Sequence, residues 1–273
     1  MARYAFLGPE GTFTEEALLS LALDDIEPVS RPTIPDVFEA VAAGDADFGI
    51  VPIENSIEGS VTATLDMLVF ESDLKIRGEI VRDIHHALIV APGLNVEEIE
   101  LVTSHPQASA QCRKWLARVL PGRPLVAANS TSEAVKRAVS ERGVAAIGTQ
   151  LAAELHGGDI LFDAIEDHKS NKTRFVLIGN EDMPPSGRDK TSLACFIMKD
   201  QPGALLQILQ EFAYRYLNLT KIQSRPTKER LGDYMFFIEV EGHRTDEQLA
   251  SAIKCLRCKI AEVKVMGSYP RAG

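Results

Sequence analysis

Cysteine is scarce in this chain: four thiols in 273 residues, at positions 112, 195, 255 and 258. They are too few and too unevenly spread for a disulfide framework. Cys255-Leu256-Arg257-Cys258 has the C-x-x-C spacing of redox and zinc sites, yet it falls within the periodic run Leu249, Ala252, Ile253, Leu256, Ile260. A structural zinc also needs a second pair of ligands, and none has suitable spacing. The segment reads as a helix with small residues on or beside its buried face. No apolar run approaches the roughly 18 residues that span a bilayer. Met1-Ala2-Arg3 opens onto a short alternating stretch rather than a secretory leader, so the expectation is a cytoplasmic protein without membrane contact. Positive charge is short as well. The 29 Lys+Arg face 39 Asp+Glu, a formal net charge of -10, which argues against a nucleic-acid grip built on phosphate neutralisation.

What remains is an ordinary globular composition, 45% hydrophobic and 25% charged, with ample chain to bury a core. The length suggests roughly two domains. Residues 1–189 hold 16 cations against 30 anions, a balance of -14, and residues 190–273 hold 13 against 9, a balance of +4. The sign changes where Met183-Pro184-Pro185-Ser186-Gly187 has the composition of an exposed connector. We place a first domain at 1–182 and a second at 190–269.

The first domain alternates short apolar runs with helical periodicity. Residues 4–7 read as a strand, 15–23 and 35–43 as helices and 48–53 as a buried strand, followed by a helix over 61–70. After a charged stretch at 74–84 a second alternation begins: strands at 86–90, 101–102, 125–127 and 145–147, with helices at 108–119 and 132–140. Residues 173–178 form another buried strand. Two α/β lobes of this kind hold ligands beyond the carboxyl ends of their strands, in the cleft between them. The tail has a different order: strand 191–198, helix 203–216, strands 220–225 and 234–240, helix 246–259 and strand 262–266. This βαββαβ order is the ferredoxin-like split unit, read as a small independent module.

Four polar segments stand at strand ends. Gly8-Pro9-Glu10-Gly11-Thr12-Phe13-Thr14 supplies either backbone N–H groups for an anion or merely a βα turn with Thr14 as helix cap. After Val51-Pro52-Ile53-Glu54, the residues Asn55, Ser56 and Ser60 can aim donors into one cleft, or simply cap a turn. Ser104-His105-Pro106-Gln107 has the same placement in the second lobe, with Pro106 in a first helical turn. His85 and His86, as neighbours on a strand, face opposite ways and do not form one site. Asn171-Lys172-Thr173-Arg174-Phe175 returns to the first lobe, bringing two cations and a hydroxyl into an acidic region. Such local positive charge would suit a small dianion.

Taken together and in order, Gly8 to Thr14, Val51 to Val61, Ser104 to Ala108 and Thr173-Arg174-Phe175 resemble the signature set of prephenate dehydratases. Asp200-Gln201-Pro202-Gly203-Ala204-Leu205 and Asn218-Leu219-Thr220-Lys221-Ile222-Gln223-Ser224-Arg225-Pro226 resemble the regulatory ACT domain that follows in that family. The resemblance spans about residues 3–269 and implies a two-lobed, periplasmic-binding-protein-like α/β catalytic domain plus an ACT domain. With no chorismate mutase segment before the first strand, it looks like the monofunctional form. The implied reaction converts prephenate to phenylpyruvate on the route to phenylalanine, without metal or cofactor.

Thr173 matches the family's essential threonine and is expected to hydrogen-bond the leaving hydroxyl. Glu58 is either the proton source or a solvated carboxylate. Arg174 and Lys172 are expected at the substrate carboxylates, with Thr12, Asn55, Ser56, Ser104, Gln107 and Phe175 completing the site. The family's effector is phenylalanine, which implies a site at Gly203, Ala204, Leu205, Asn218, Gln223, Ser224, Arg225 and Pro226. ACT domains pair side by side, so a homodimer or homotetramer is expected. Gln223 departs from the usual Glu, losing a charge that could meet an ammonium group. The competing readings are an arogenate dehydratase, an exported solute receptor, and a non-catalytic amino-acid sensor.

Overall fold

A computed structural model describes residues 1–23, 25–197, 201–227 and 234–272. Met198, the expected end of a strand, and Asp200, the expected cap of the next helix, lie outside the described residues. The first lobe comprises β1 (Ala2–Leu7), α1 (Phe13–Leu19), β2 (Ile26–Arg31), α2 (Ile34–Ala43), β3 (Phe48–Asn55), the short β4 (Gly59–Ser60), α3 (Thr62–Asp66) and β5 (Lys75–Asp83). The second holds β6 (Ala87–Val90), β7 (Leu101–Ser104), α4 (Pro106–Gln111), α5 (Arg113–Val119), β8 (Leu125–Ala127), α6 (Thr131–Ser140), β9 (Val144–Gly148), α7 (Gln150–His156) and β10 (Asp159–Phe162). The chain then returns to the first lobe as β11 (Lys172–Gly179). The tail adds β12 (Asp189–Phe196), α8 (Ala204–Ala213), β13 (Leu219–Pro226), β14 (Tyr234–Glu241), α9 (Glu247–Lys259) and β15 (Glu262–Pro270). Among the described residues no helix is long and apolar enough to cross a membrane.

The first sheet runs β2-β1-β3-β11-β5 and the second β10-β6-β9-β7-β8. Strand β11 lies antiparallel between β3 and β5, which sets Thr173 opposite Asn55 on one side and Arg82 on the other. Strand β2 escapes the apolar pattern because it is an edge strand, where Pro28 and a polar face are tolerated. Helix α1 starts two residues earlier than the expected 15: Thr12 is its N-cap residue and Thr14 is buried inside it. The expected helix 108–119 is two helices that break at Cys112. Asp167 accepts from the backbone N–H of Lys114 at 2.9 Å and of Trp115 at 3.0 Å, giving the second helix a cap of its own. The helix expected over 61–70 becomes α3 and then a π-turn at Met67–Glu71. Lys264 Nζ satisfies the carbonyls of Val69 and Ser72 there.

The tail sheet runs β13-β14-β12-β15. One face packs on α8 and α9 through Leu193, Ile208, Phe212, Ile238 and Leu256. The opposite face presents Ala194, Met235, Phe237, Met266 and Tyr269, which join one core with Val51, Ile53, Leu68, Ile76 and Val176 of the first lobe. The tail is therefore not the independent module its sequence suggests. At the crossing of β15 over β5, Gly267 has φ +146°, and a Cβ there would lie 2.3 Å from the Ile76 carbonyl oxygen. The connector is held too: the Ser268 N–H donates to Asp182 at 2.9 Å, and His243 Nε2 lies 3.0 Å from the Met183 carbonyl. Cys255 and Cys258 lie on α9, as the periodicity indicates.

Candidate active site

Between the lobes lies a cleft of about 360 Å³, of a size suited to a small metabolite. The first lobe lines it with Thr12, Phe13, Asn55, Thr173 and Phe175, and the second with His105, Gln107, Gln111 and the start of α6 from Asn129 to Thr131. His86 and Asn171, on the two crossings between lobes, complete the wall. Among the described residues no Lys or Arg lines it.

A continuous hydrogen-bond chain runs through this wall. Asn55 Oδ1 accepts from the backbone N–H of Ile57 at 2.9 Å and of Glu58 at 3.0 Å. Its amide nitrogen donates to Thr173 Oγ1 at 2.8 Å and to Asn171 Oδ1 at 2.9 Å. Asn171 Nδ2 donates to Gln111 Oε1 at 2.9 Å, and that same oxygen lies 3.0 Å from His86 Nε2. Burial pushes the His86 ring below the ordinary imidazole value, against the opposing pull of Gln111 and Glu166. Glu166 faces the backbone instead, accepting the His86 N–H at 3.0 Å.

Thr12, Asn55, Gln107, Thr173 and Phe175 thus meet in the cleft, and five other expected substrate-site residues do not line it. Arg174, expected at the substrate carboxylates, points to the opposite face of β11. It pairs there with Glu54 at 2.9 Å, Glu79 at 3.0 Å and Glu239 at 2.8 Å, beneath the tail sheet. Strand alternation is the reason, because neighbours of Thr173 face away from it. Lys172, also expected there, is exposed and pairs with Asp83 at 3.3 Å. Ser104 is fully buried and donates to the Ile147 carbonyl at 2.7 Å, tying β7 to β9. Ser56 accepts from the Lys172 N–H outside the cleft, and Glu58 is exposed on the same turn. In the glycine loop, Glu15 accepts the Gly11 N–H at 2.5 Å, so the helix supplies that donor's partner itself.

His86, Gln111 and Asn171 were missed as site residues. Gln111 stands one helical turn after Gln107 on α4, so the i,i+4 spacing carried a signal. For the histidine pair, alternation implied that one ring turns inward while the other faces solvent.

In the tail, Gly203, Ala204, Leu205 and Ser224 line a groove of about 540 Å³ with Leu209, Tyr234 and Phe236. Gln223 and Arg225 face the other way. Gln223 Oε1 accepts from Ser60 Oγ at 2.7 Å, and Arg225 pairs with Asp66. Asn218 and Pro226 are exposed outside the groove.

A largely apolar interlobe cleft crossed by a hydrogen-bonded chain of polar side chains, and a βαββαβ module sharing a core with one lobe, define a two-lobed α/β enzyme with a fused small-ligand module. The prephenate dehydratase family model matches residues 4–183, and the ACT domain model matches residues 192–256. The bifunctional chorismate mutase/prephenate dehydratase of Aquifex aeolicus is 43% identical over 99% of this chain and 74% of its own length. The prephenate dehydratase of Mycobacterium tuberculosis is 40% identical over 99% of this chain and 87% of its own. A crystal structure of the Arthrobacter aurescens prephenate dehydratase in complex with L-Phe superposes with a TM-score of 0.91, at 38% identity over 99% of this chain and 90% of that one. The chain belongs to the prephenate dehydratase family, with a C-terminal ACT domain, and its activity is the decarboxylative dehydration of prephenate.

Proposed function

We propose that Thr173 is the catalytic hydroxyl of this dehydration. The carrying observation is that Thr173 Oγ1 faces the cleft and accepts a hydrogen bond from Asn55 Nδ2. An amide nitrogen offers no acceptor, so the threonine proton is free to meet the departing ring hydroxyl. As the carboxylate leaves the ring as carbon dioxide, its bonding pair enters the ring. The C–O bond breaks with its own pair, and the hydroxyl takes one proton to leave as water. Aromatisation supplies the driving force, so positioning the dianion and assisting the leaving group are the enzyme's main tasks. Threonine is a weak acid, and it orients and relays a proton from solvent. Neutral donors, namely Gln107 and the start of α6, hold the substrate carboxylates in a cleft that no Lys or Arg lines among the described residues. Incubation with prephenate and, separately, arogenate, following phenylpyruvate and phenylalanine, tests the substrate. Thr173→Ala should lower kcat by about 10²- to 10⁴-fold with KM little changed, and near-normal turnover would remove Thr173 from the mechanism.

The ACT groove is proposed to bind phenylalanine, with the Arthrobacter aurescens complex as support. Exposed Leu206, Ile222 and Tyr234 beside it suit a second copy of the chain, giving a dimer or tetramer. Calorimetric titration with phenylalanine and light scattering with and without it test both points. A monomer under both conditions would exclude an effector site shared between chains.

A further inference from the structure

We propose that His86 is a positioning residue of the dehydration: as a neutral ring with its proton on Nε2, it anchors the far end of the hydrogen-bond chain, holding Gln111 and through it Asn171 in the cleft wall behind Asn55 and Thr173. The inference rests on the role of Thr173 given above.

The direction of every bond in the chain follows from two backbone donors. The N–H groups of Ile57 and Glu58 both point at one atom of the Asn55 side chain, which must therefore be its oxygen. Both protons on the Asn55 nitrogen are then committed, one to Thr173 Oγ1 and one to Asn171 Oδ1. Asn171 must turn its own nitrogen to Gln111, so the Gln111 atom it meets is the oxygen. That oxygen is an acceptor only, and it lies 3.0 Å from His86 Nε2. Nε2 must carry the ring proton.

The other ring nitrogen gives a second, independent reason. His86 Nδ1 is buried and has no hydrogen-bond partner among the described residues. A proton there would be a buried donor without an acceptor, which disfavours both the alternative tautomer and the imidazolium. The surroundings agree. Phe13 sets its ring against His86 with centroids 5.2 Å apart, and the Glu166 carboxylate is occupied by the His86 backbone and by His85. His86 is 2% exposed, so the ring is held at the base of the wall.

The consequence is mechanical. With the His86 donor in place, the Gln111 amide has one orientation. Without it, Gln111 Oε1 is held only by Asn171, so the Gln111–Asn171 pair in the cleft wall loses its anchor, while the Ile57 and Glu58 N–H groups still orient Asn55. His86→Leu removes the donor, and His86→Gln returns an amide N–H at a similar reach. For the Leu variant we expect kcat to fall about 10- to 30-fold with KM changed by less than about threefold, as for other outer positioning bonds. The Gln variant should recover most of that loss. Nitrogen NMR of the unsubstituted protein should give a pyrrole-type signal at Nε2 and a pyridine-type signal at Nδ1 at neutral pH, a readout that needs no variant to fold. A proton on Nδ1, an imidazolium at neutral pH, or a folded His86→Leu enzyme with unchanged kcat would overturn the role of His86 alone. Thr173→Ala with normal turnover would overturn the Thr173 reading and this inference with it.

Discussion

Replacing Arg174 should damage the stability of this enzyme and leave its substrate affinity nearly untouched. The guanidinium lies 2.9 Å from Glu54, 3.0 Å from Glu79 and 2.8 Å from Glu239, with its own side chain 11% exposed. Lys190 also reaches Glu79 at 2.9 Å, and Lys221 reaches Glu54 at 2.9 Å. Three carboxylates are thus balanced by three cations where the ACT sheet sits on the first lobe. Arg174→Met keeps most of the volume and leaves one carboxylate in excess, with Glu79 4% and Glu239 2% exposed. Removing one partner of such a group costs about 3–5 kcal/mol. That is a large share of a usual total of roughly 5–15 kcal/mol, and at about 2–4 °C per kcal/mol the midpoint should drop by roughly 6–20 °C. Thermal unfolding and steady-state kinetics on the same preparation measure both quantities. Arg174→Met combined with Glu79→Gln restores the charge balance and should recover part of the loss. An unmoved unfolding midpoint with KM raised tenfold would refute this account and return Arg174 to the substrate.

The same cluster predicts an acid limit. Burial alone would raise Glu79, but the hydrogen bond and charge of Lys190, with Arg174 and the Ala272 N–H, hold it below the usual 4.5, and Lys221 and Arg174 do the same for Glu54. These carboxylates bind fewer protons folded than unfolded, so their stabilisation is complete above about pH 4.5 and lost as pH falls through the lower folded values. Urea midpoints measured from pH 6 to 3 should fall more steeply for the wild type than for Glu79→Gln. Ser60→Ala cuts the links from Ser60 Oγ to Gln223 at 2.7 Å and to Lys221 at 2.8 Å. The phenylalanine concentration for half inhibition should move at least threefold, with effector-free kcat within about twofold; an unchanged inhibition curve would exclude that contact from the coupling. Gly267→Ala should destabilise by about 1–3 kcal/mol or more, because its Cβ would meet Ile76 backbone at 2.3 Å. Hydrogen exchange along β5 and β15 should rise first, and unchanged protection there would count against a tight crossing.

Much of the architecture was legible because buried strands and amphipathic helices differ in period, and all six elements of the tail appear in the expected order. The exceptions have local causes. Strand β2 is a polar edge, and the break at Cys112 depends on Asp167, a residue 55 positions away that no window around Cys112 contains. The contact between the ACT sheet and the first lobe was not legible at all. Nothing in the sequence pairs Glu54, Glu79, Lys190 and Glu239 with Arg174, and only their mutual pairing makes their burial tolerable.

Within the site, alternation separates what was placed well from what was not. On β11 the residue types favoured putting Thr173 and Arg174 at one ligand, but adjacent strand residues face opposite ways, and Thr173 and Phe175 take the cleft while Arg174 takes the domain interface. Strand β13 repeats the pattern: Ser224 lines the ACT groove, and Lys221, Gln223 and Arg225 turn to the first lobe. Gln223 therefore reads differently here than as a lost contact for an effector's ammonium group. Its amide oxygen accepts from Ser60, whose strand β4 pairs with the end of β3 that carries Asn55. One strand thus has a side that faces the ACT groove and a side that faces the first lobe. The Ser60→Ala inhibition curve tests whether a displacement at Ser224 in the groove reaches, through Gln223 and Ser60, the hairpin that carries Asn55.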